Sequence, residues 1–272
     1  MHLSIQQMQG LHLEILAKFT EICKKHNISY YLCGGSLLGA VRHNGTVPWH
    51  CDFDIMVPEQ EINHLIQLLA DELDSKYSLD YHSLNNKSMQ LFPRIILRGY
   101  DSDVFHVDIF RLIGFPDNAY KQKKMYSKTK HIRLILKVKS MKTTDIVGKP
   151  FIKRIIIYLS KVFFQILPYS MLFSSYNKLC SKYPYETAPY AGYLAGRHGI
   201  RNMFKRDMYE QYISVEYSGI RVRIVKDYDF YLKQIFGDYM KYPPKKEQEE
   251  AMKKTYIINK SLPPGSKKGL FT

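Results

Sequence analysis

The sequence predicts an α+β domain, a mixed sheet flanked by helices, with further helical segments in its C-terminal half. Three observations predict it: a helix-period apolar stripe at the N-terminus, an alternating acidic strand at Asp52–Val57, and a second alternating strand at His106–Phe110. With 272 residues, 45% of them hydrophobic, the chain can bury a sizeable core as one elaborated domain.

Ile5, Met8, Leu11, Ile15, Phe19 and Ile22 fall on one helical stripe, with Glu14, Lys18 and Glu21 off it. This is not a signal peptide, because the continuous apolar centre is missing. Ile28 to Cys33 reads as a short strand. Gly34-Gly35-Ser36 then opens a small helix through Leu37, Leu38, Ala40 and Val41. A loop with Asn44-Gly45 and Pro48 leads into the strand Asp52–Val57, which Pro58 ends. Residues 61 to 73 carry Ile62, Leu65, Ile66, Leu68, Leu69 and Leu73 at helical spacing, and two strands follow at roughly 89 to 98 and 104 to 112.

From Lys121 to Arg154 there are twelve Lys or Arg and one acid, Asp145, the composition of a surface lobe. Ile155 to Phe173 is apolar and aromatic but is broken by Lys161, Gln165 and Pro168. It falls short of the ~20 apolar residues of a spanning helix. The expected reading is a buried helix pair with a solvated lysine face; the alternative is a segment lying in the membrane interface beside its basic flank. The tail from Lys241, with Pro243-Pro244 and Pro263-Pro264, reads as partly extended, and there is no internal repeat.

Forty basic residues against 25 acidic give a formal charge of +15. That favours a polyanionic partner: nucleotide phosphates, anionic lipid headgroups or nucleic acid. Cys23, Cys33, Cys51 and Cys180 lie far apart, with no CxxC pair and no zinc spacing, which fits a reducing cytoplasm and no disulfide framework.

Asp52 and Asp54, two apart on a strand, emerge on one face at about 7 Å along the chain. Two carboxylates that close invite a hard divalent cation, Mg²⁺ or Mn²⁺, which bridges to phosphate oxygens. Solvated Asp-x-Asp pairs are common, so the pair gains weight from Gly34, Gly35 and Ser36 upstream. Backbone N–H groups at a helix start hold phosphate closely, and Ser36 adds a hydroxyl. Asp108, on the second alternating strand, would complete the metal site and accept a proton from an attacking hydroxyl if the strands are neighbours. Arg42 either neutralises phosphate or caps the C-terminal end of its own helix. His106 shares the face of Asp108 and is read as structural.

Gly35-Ser36-Leu37-Leu38-Gly39-Ala40-Val41-Arg42-His43-Asn44-Gly45, followed by Pro48-Trp49-His50-Cys51-Asp52-Phe53-Asp54-Ile55, resembles the signature of the LicD family, to which fukutin and the fukutin-related protein are similar. Asp108-Ile109-Phe110 resembles its third motif. Tyr228-Asp229-Phe230-Tyr231-Leu232, Phe236-Gly237-Asp238-Tyr239-Met240 and Pro243-Pro244 resemble its C-terminal signature. The resemblance runs from the first helix to about residue 245 and is weakest through the basic middle.

It implies a nucleotidyltransferase-like fold. The implied division is a catalytic core at 1–115, a basic and apolar helical insertion at 116–180, the C-terminal part of the catalytic domain at 181–245, and a basic tail at 246–272. It also implies transfer of phosphocholine from CDP-choline onto a hydroxyl of a cell-surface glycan or lipid-linked oligosaccharide, with release of CMP. Phosphoribitol, phosphoglycerol, phosphoethanolamine and aminoethylphosphonate are the alternative cargoes. Asp52, Asp54 and Asp108 become the metal-binding and catalytic acids, and Trp49, His50 and Asp238 become substrate-site candidates. The family often has acids where this chain has His50 and Cys51, a departure that bears on an auxiliary metal contact or on donor choice.

A trimethylammonium group needs aromatic faces, each worth ~0.5 to 2 kcal/mol. The 22 Tyr and 14 Phe supply candidates, but most must be core, and sequence singles out no cage. Two other readings stay open: nucleotidyl transfer with release of pyrophosphate, and a basic nucleic-acid or membrane binding protein without catalysis. Nucleic acid is the less expected partner. The expected location is cytoplasmic, or peripheral at the inner face of the membrane.

Overall fold

The computed structural model describes residues 4–50, 53–86, 88–100, 105–141 and 150–258. The N-terminal stripe forms α1 (Ile5–Lys25), started by a capping box in which the Ser4 hydroxyl accepts from the Gln7 N–H and the Gln7 side chain accepts from the Ser4 N–H. Its Ile15, Phe19 and Ile22 are fully buried.

β1 (Tyr31–Leu32) is shorter than the apolar run around it. α2 (Gly34–His43) follows and ends on Asn44 in the left-handed conformation. β2 (Phe53–Pro58) and α3 (Ile62–Glu72) then stand where the alternating and helical periods place them.

β3 (Tyr77–Asp80) was not foreseen; β4 (Arg94–Leu97) and β5 (His106–Phe115) were. These five strands run in the order β1-β2-β5-β4-β3. Only β2 and β5 pair in parallel. β5 is central and buried from Val107 to Phe115, as a strand covered on both faces must be. Its far end pairs with β6 (Tyr190–Gly192), which pairs with β7 (Met203–Lys205). β8 (Tyr212–Tyr217) and β9 (Ile220–Val225) form a separate hairpin. The mixed α/β architecture and its flanked, mixed sheet are those the sequence predicts.

Between β5 and β6 lie α4 (Ala119–Ser140), α5 (Phe151–Gln165) and α6 (Tyr169–Cys180). The expected buried helix pair is realised only in α6, which buries Leu172, Phe173 and Tyr176, whereas α5 buries no residue. α6 is held in place by Arg111 of β5. The Arg111 guanidinium donates to both carboxylate oxygens of Glu59 and, at 2.6 Å, to the Asn177 side-chain oxygen. Among the described residues no single helix is long and apolar enough to cross a membrane, although α5 and α6 together, bent by 84°, pass that test.

After α7 (Tyr228–Phe236) the tail departs from the extended expectation: residues 245–258 form α8 (Lys245–Ile258). Pro243-Pro244 precedes a run of Lys, Glu, Gln, Ala and Met, good helix formers that outweigh the breaker beside them. Residues 259–272 of the expected basic tail lie outside the described residues.

Candidate active site

Parallel pairing of β2 with β5 sets Asp54 opposite Asp108 in register. Register partners on neighbouring strands project to the same face, so the two carboxylates lie side by side. β4 pairs with the other edge of β5 and sets Arg94 opposite Asp108. The Arg94 Nε lies 2.6 Å from Asp108 Oδ1, and the His106 Nε2 is 3.7 Å from the same oxygen. His106 also offers its carbonyl to the ring of His12 at 3.0 Å, which ties β5 to α1.

The glycine turn is fitted to Asp54. The Ser36 hydroxyl accepts the Asp54 N–H at 2.8 Å, and the Cys33 N–H donates to the Asp54 carbonyl at 3.1 Å. Gly34 has φ of +52°, and a Cβ there would stand 2.9 Å from Asp54 Oδ2. Glycine is therefore required twice, for its backbone and for its emptiness. At Gly35 a Cβ would meet nothing within 4 Å, because this residue faces open space.

That space is a cleft of about 730 Å³ whose wall includes Gly34, Gly35, Asp54, Arg94 and Asp108. Arg133 from α4 and Arg197 and Lys241 from the C-terminal half add positive charge. Burial lowers the pKa of Arg133. Phe92, Phe110 and Tyr193 supply aromatic surface, with Phe110 stacked on Tyr193 at 4.7 Å between ring centres. Behind Gly34 the Cys33 thiol is fully buried, and burial together with Asp54 pushes its pKa well up. It is a neutral packing group rather than a nucleophile.

Of the residues expected from sequence, Gly34, Gly35, Arg42, Trp49, His50, Asp54, Asp108 and Asp238 all line this one cleft. Ser36 is buried and does not line it; its hydroxyl is used to hold Asp54. Asp238 follows Gly237, whose φ of +73° ends α7, and its carbonyl accepts the Lys241 N–H in a turn at the cleft rim. Asp52 and Cys51 lie outside the described residues.

Arg42 lines the cleft and also reaches the C-terminal segment. Its guanidinium donates to the carbonyls of Tyr239 at 2.7 Å and Lys241 at 3.3 Å, its Nε donates to the His43 ring at 3.0 Å, and it lies over the Tyr242 ring at 4.8 Å. It fastens the C-terminal strap to the end of α2. Burial and then Arg42 lower the pKa of His43. Arg94, Arg133, Tyr193 and Tyr242 were missed. Arg94 begins the apolar strand Arg94–Leu97, and only the pairing of β4 with β5 reveals its partner.

Among the described residues no group of three His, Cys, Asp or Glu side chains is assembled for a metal ion. The donors present are the neighbouring carboxylates Asp54 and Asp108. That set suits a hard cation that takes its remaining oxygens from water and substrate phosphate.

A glycine-opened helix set over paired carboxylates on a mixed sheet defines a nucleotidyltransferase-like protein. Residues 27–148 match the family described as LicD/FKTN/FKRP, nucleotidyltransferase domain. The chain is 27% identical over 271 residues to the lipopolysaccharide cholinephosphotransferase LicD of Haemophilus influenzae, covering 94% of this chain and 99% of that protein. It is 29% identical over 129 residues to an uncharacterized protein of Rickettsia prowazekii, covering 47% of this chain and 48% of that one. A second uncharacterized protein, from Rickettsia typhi, is 29% identical over 116 residues, 38% of each chain.

Proposed function

We propose that this protein transfers phosphocholine from CDP-choline to a glycan hydroxyl in a reaction that requires Mg²⁺ or Mn²⁺ and releases CMP. The observation that carries the reading is the register pairing of Asp54 with Asp108 beneath the Gly34-Gly35 turn. The similarity to a lipopolysaccharide cholinephosphotransferase supports the choice of cargo and acceptor.

In this reading Asp54 and Asp108, with Asp52, would hold the cation, which when bound would supply positive charge against the leaving nucleotide phosphate. The acceptor oxygen forms a bond to the choline-bearing phosphorus, the bond from that phosphorus to the CMP oxygen breaks, and CMP leaves with both bonding electrons. The hydroxyl proton passes to Asp108, whose carboxylate Arg94 keeps in a fixed direction. The start of α2 and the arginines of the cleft receive the diphosphate. Gly35 leaves room for it. Phe92, Phe110 and Tyr193 offer faces to the trimethylammonium group.

The test is product analysis of the purified protein with CDP-choline, Mg²⁺ and lipopolysaccharide. CMP and choline-bearing glycan in equal amounts support the reading. Release of pyrophosphate from a nucleoside triphosphate, with none of CMP from CDP-choline, replaces it with nucleotidyl transfer.

A further inference from the structure

α5 is amphipathic with its polar side turned toward the protein. At ~100° per residue Lys153, Arg154, Ser160 and Lys161 share one side of the helix, while Ile155, Leu159, Val162 and Ile166 lie opposite. The polar side meets α4. Lys161 Nζ donates to the Met141 carbonyl at 2.5 Å, and Lys139 of α4 donates to the carbonyls of Phe164 and Leu167 at 2.7 and 2.9 Å, capping the last turn of α5. The apolar side is left outward, with Ile152 71%, Leu159 61% and Ile166 78% exposed. An apolar stripe of this length in water marks an interaction surface.

The charge around it selects the occupant. α4, α5 and α6 contain no acidic residue, while α4 exposes Lys121, Lys123, Lys124, Lys128, Lys130 and Lys137, and α5 exposes Lys153 and Arg154. A second copy of a chain with formal charge +15 would bring like charge to the same face, whereas an anionic lipid surface brings the opposite one. Insertion across the bilayer does not fit. The 15 residues of α5 rise about 22 Å against a hydrocarbon core of about 30 Å, and α6 is fastened into the domain by Leu172, Phe173 and Tyr176.

We infer that α5 seats the protein on an anionic phospholipid bilayer, lying in the plane of the interface with Ile155, Leu159, Val162 and Ile166 among the acyl chains. Lys153 and Arg154, exposed on the polar side, have stems long enough to keep their charges at the headgroups. This seat does not depend on the transferase reading, since α5 contributes no residue to the cleft. Arg133 of α4, the helix on which α5 rests, does enter the cleft, so the site would open near the membrane surface.

The experiment is co-sedimentation of the full chain with vesicles of phosphatidylcholine alone and of phosphatidylcholine with phosphatidylglycerol, with light scattering of the free protein alongside. The wild type is expected to sediment with the phosphatidylglycerol vesicles, less so in high salt. A triple Ile155→Ser, Leu159→Ser, Ile166→Ser variant with unchanged melting temperature should bind at least about tenfold more weakly. Lys153→Glu with Arg154→Glu should weaken binding while keeping the apolar stripe. Equal sedimentation of wild type and triple variant would overturn the inference. So would a wild-type dimer that the triple variant abolishes and that does not bind vesicles, because the second copy would then be the occupant.

Discussion

Arg94 and Asp108 face each other across the antiparallel pair β4–β5, joined by a 2.6 Å contact from Nε to Oδ1 on the strand that also carries the partner of Asp54. One carboxylate is thereby held between a cation on one neighbouring strand and a second carboxylate on the other. Removing the cation should disturb chemistry more than folding. Arg94→Met is expected to lower kcat by about a hundredfold through loss of carboxylate orientation, with KM for the donor changed less. Arg94→Lys, which restores the charge without the planar fork, should recover part of the loss. Steady-state kinetics of CMP release measure both.

The two glycines of the turn should separate stability from binding. Gly34→Ala puts a side chain at φ of +52° and a Cβ 2.9 Å from Asp54 Oδ2, so it should cost about 1–2 kcal/mol in urea unfolding and abolish activity. Gly35→Ala meets nothing within 4 Å in the protein. It should melt like the wild type and raise KM for the donor, because its methyl group occupies the space the phosphates need.

Arg111 is 6% exposed and bonds Glu59 and Asn177 at once, linking β5 to the turn after β2 and to α6. Arg111→Ala leaves a carboxylate without its cation and is expected to destabilise the protein by about 3 kcal/mol. Chemical denaturation provides the check, and an unchanged midpoint would contradict the linking role.

His43 gives a pH dependence with a definite sign. Its folded pKa lies below the ordinary 6.5, mainly through burial and then through Arg42. The unfolded chain therefore binds that proton more readily. The stability tied to neutral His43 is fully present above pH 6.5 and is lost as pH falls through the lower folded value. Protonation also removes the ring lone pair that accepts from Arg42 Nε. Thermal melts from about pH 8 to about pH 5 should show His43→Gln losing less stability than wild type on acidification.

Much of this arrangement was legible before any coordinates. Alternation placed Asp54 and Asp108 on strands, and the glycine pair marked the start of α2, because period and punctuation are local properties. Partners were not legible. Arg94 is an ordinary strand residue until β4 pairs with β5, and Arg42 could not be seen reaching Tyr239, 197 residues further on. Ser36 resembled a phosphate ligand, yet it is buried behind the cleft wall, where its hydroxyl accepts the Asp54 N–H, a placement that only geometry reveals. α5 misled in the other direction: apolar composition suggested burial, and the polar contacts of Lys139 and Lys161 turn that apolar side outward.

Whether Asp54 and Asp108 form one transfer centre is measured most directly by metal-stimulated CMP release from CDP-choline by Asp54→Asn and Asp108→Asn beside the wild type. A loss of at least about a hundredfold is expected in each variant, with melting temperatures near that of the wild type and a double variant scarcely worse than either single one, since members of one catalytic unit are not additive. Wild-type rates in both single variants, at saturating donor and with the same metal dependence, would contradict a shared transfer centre.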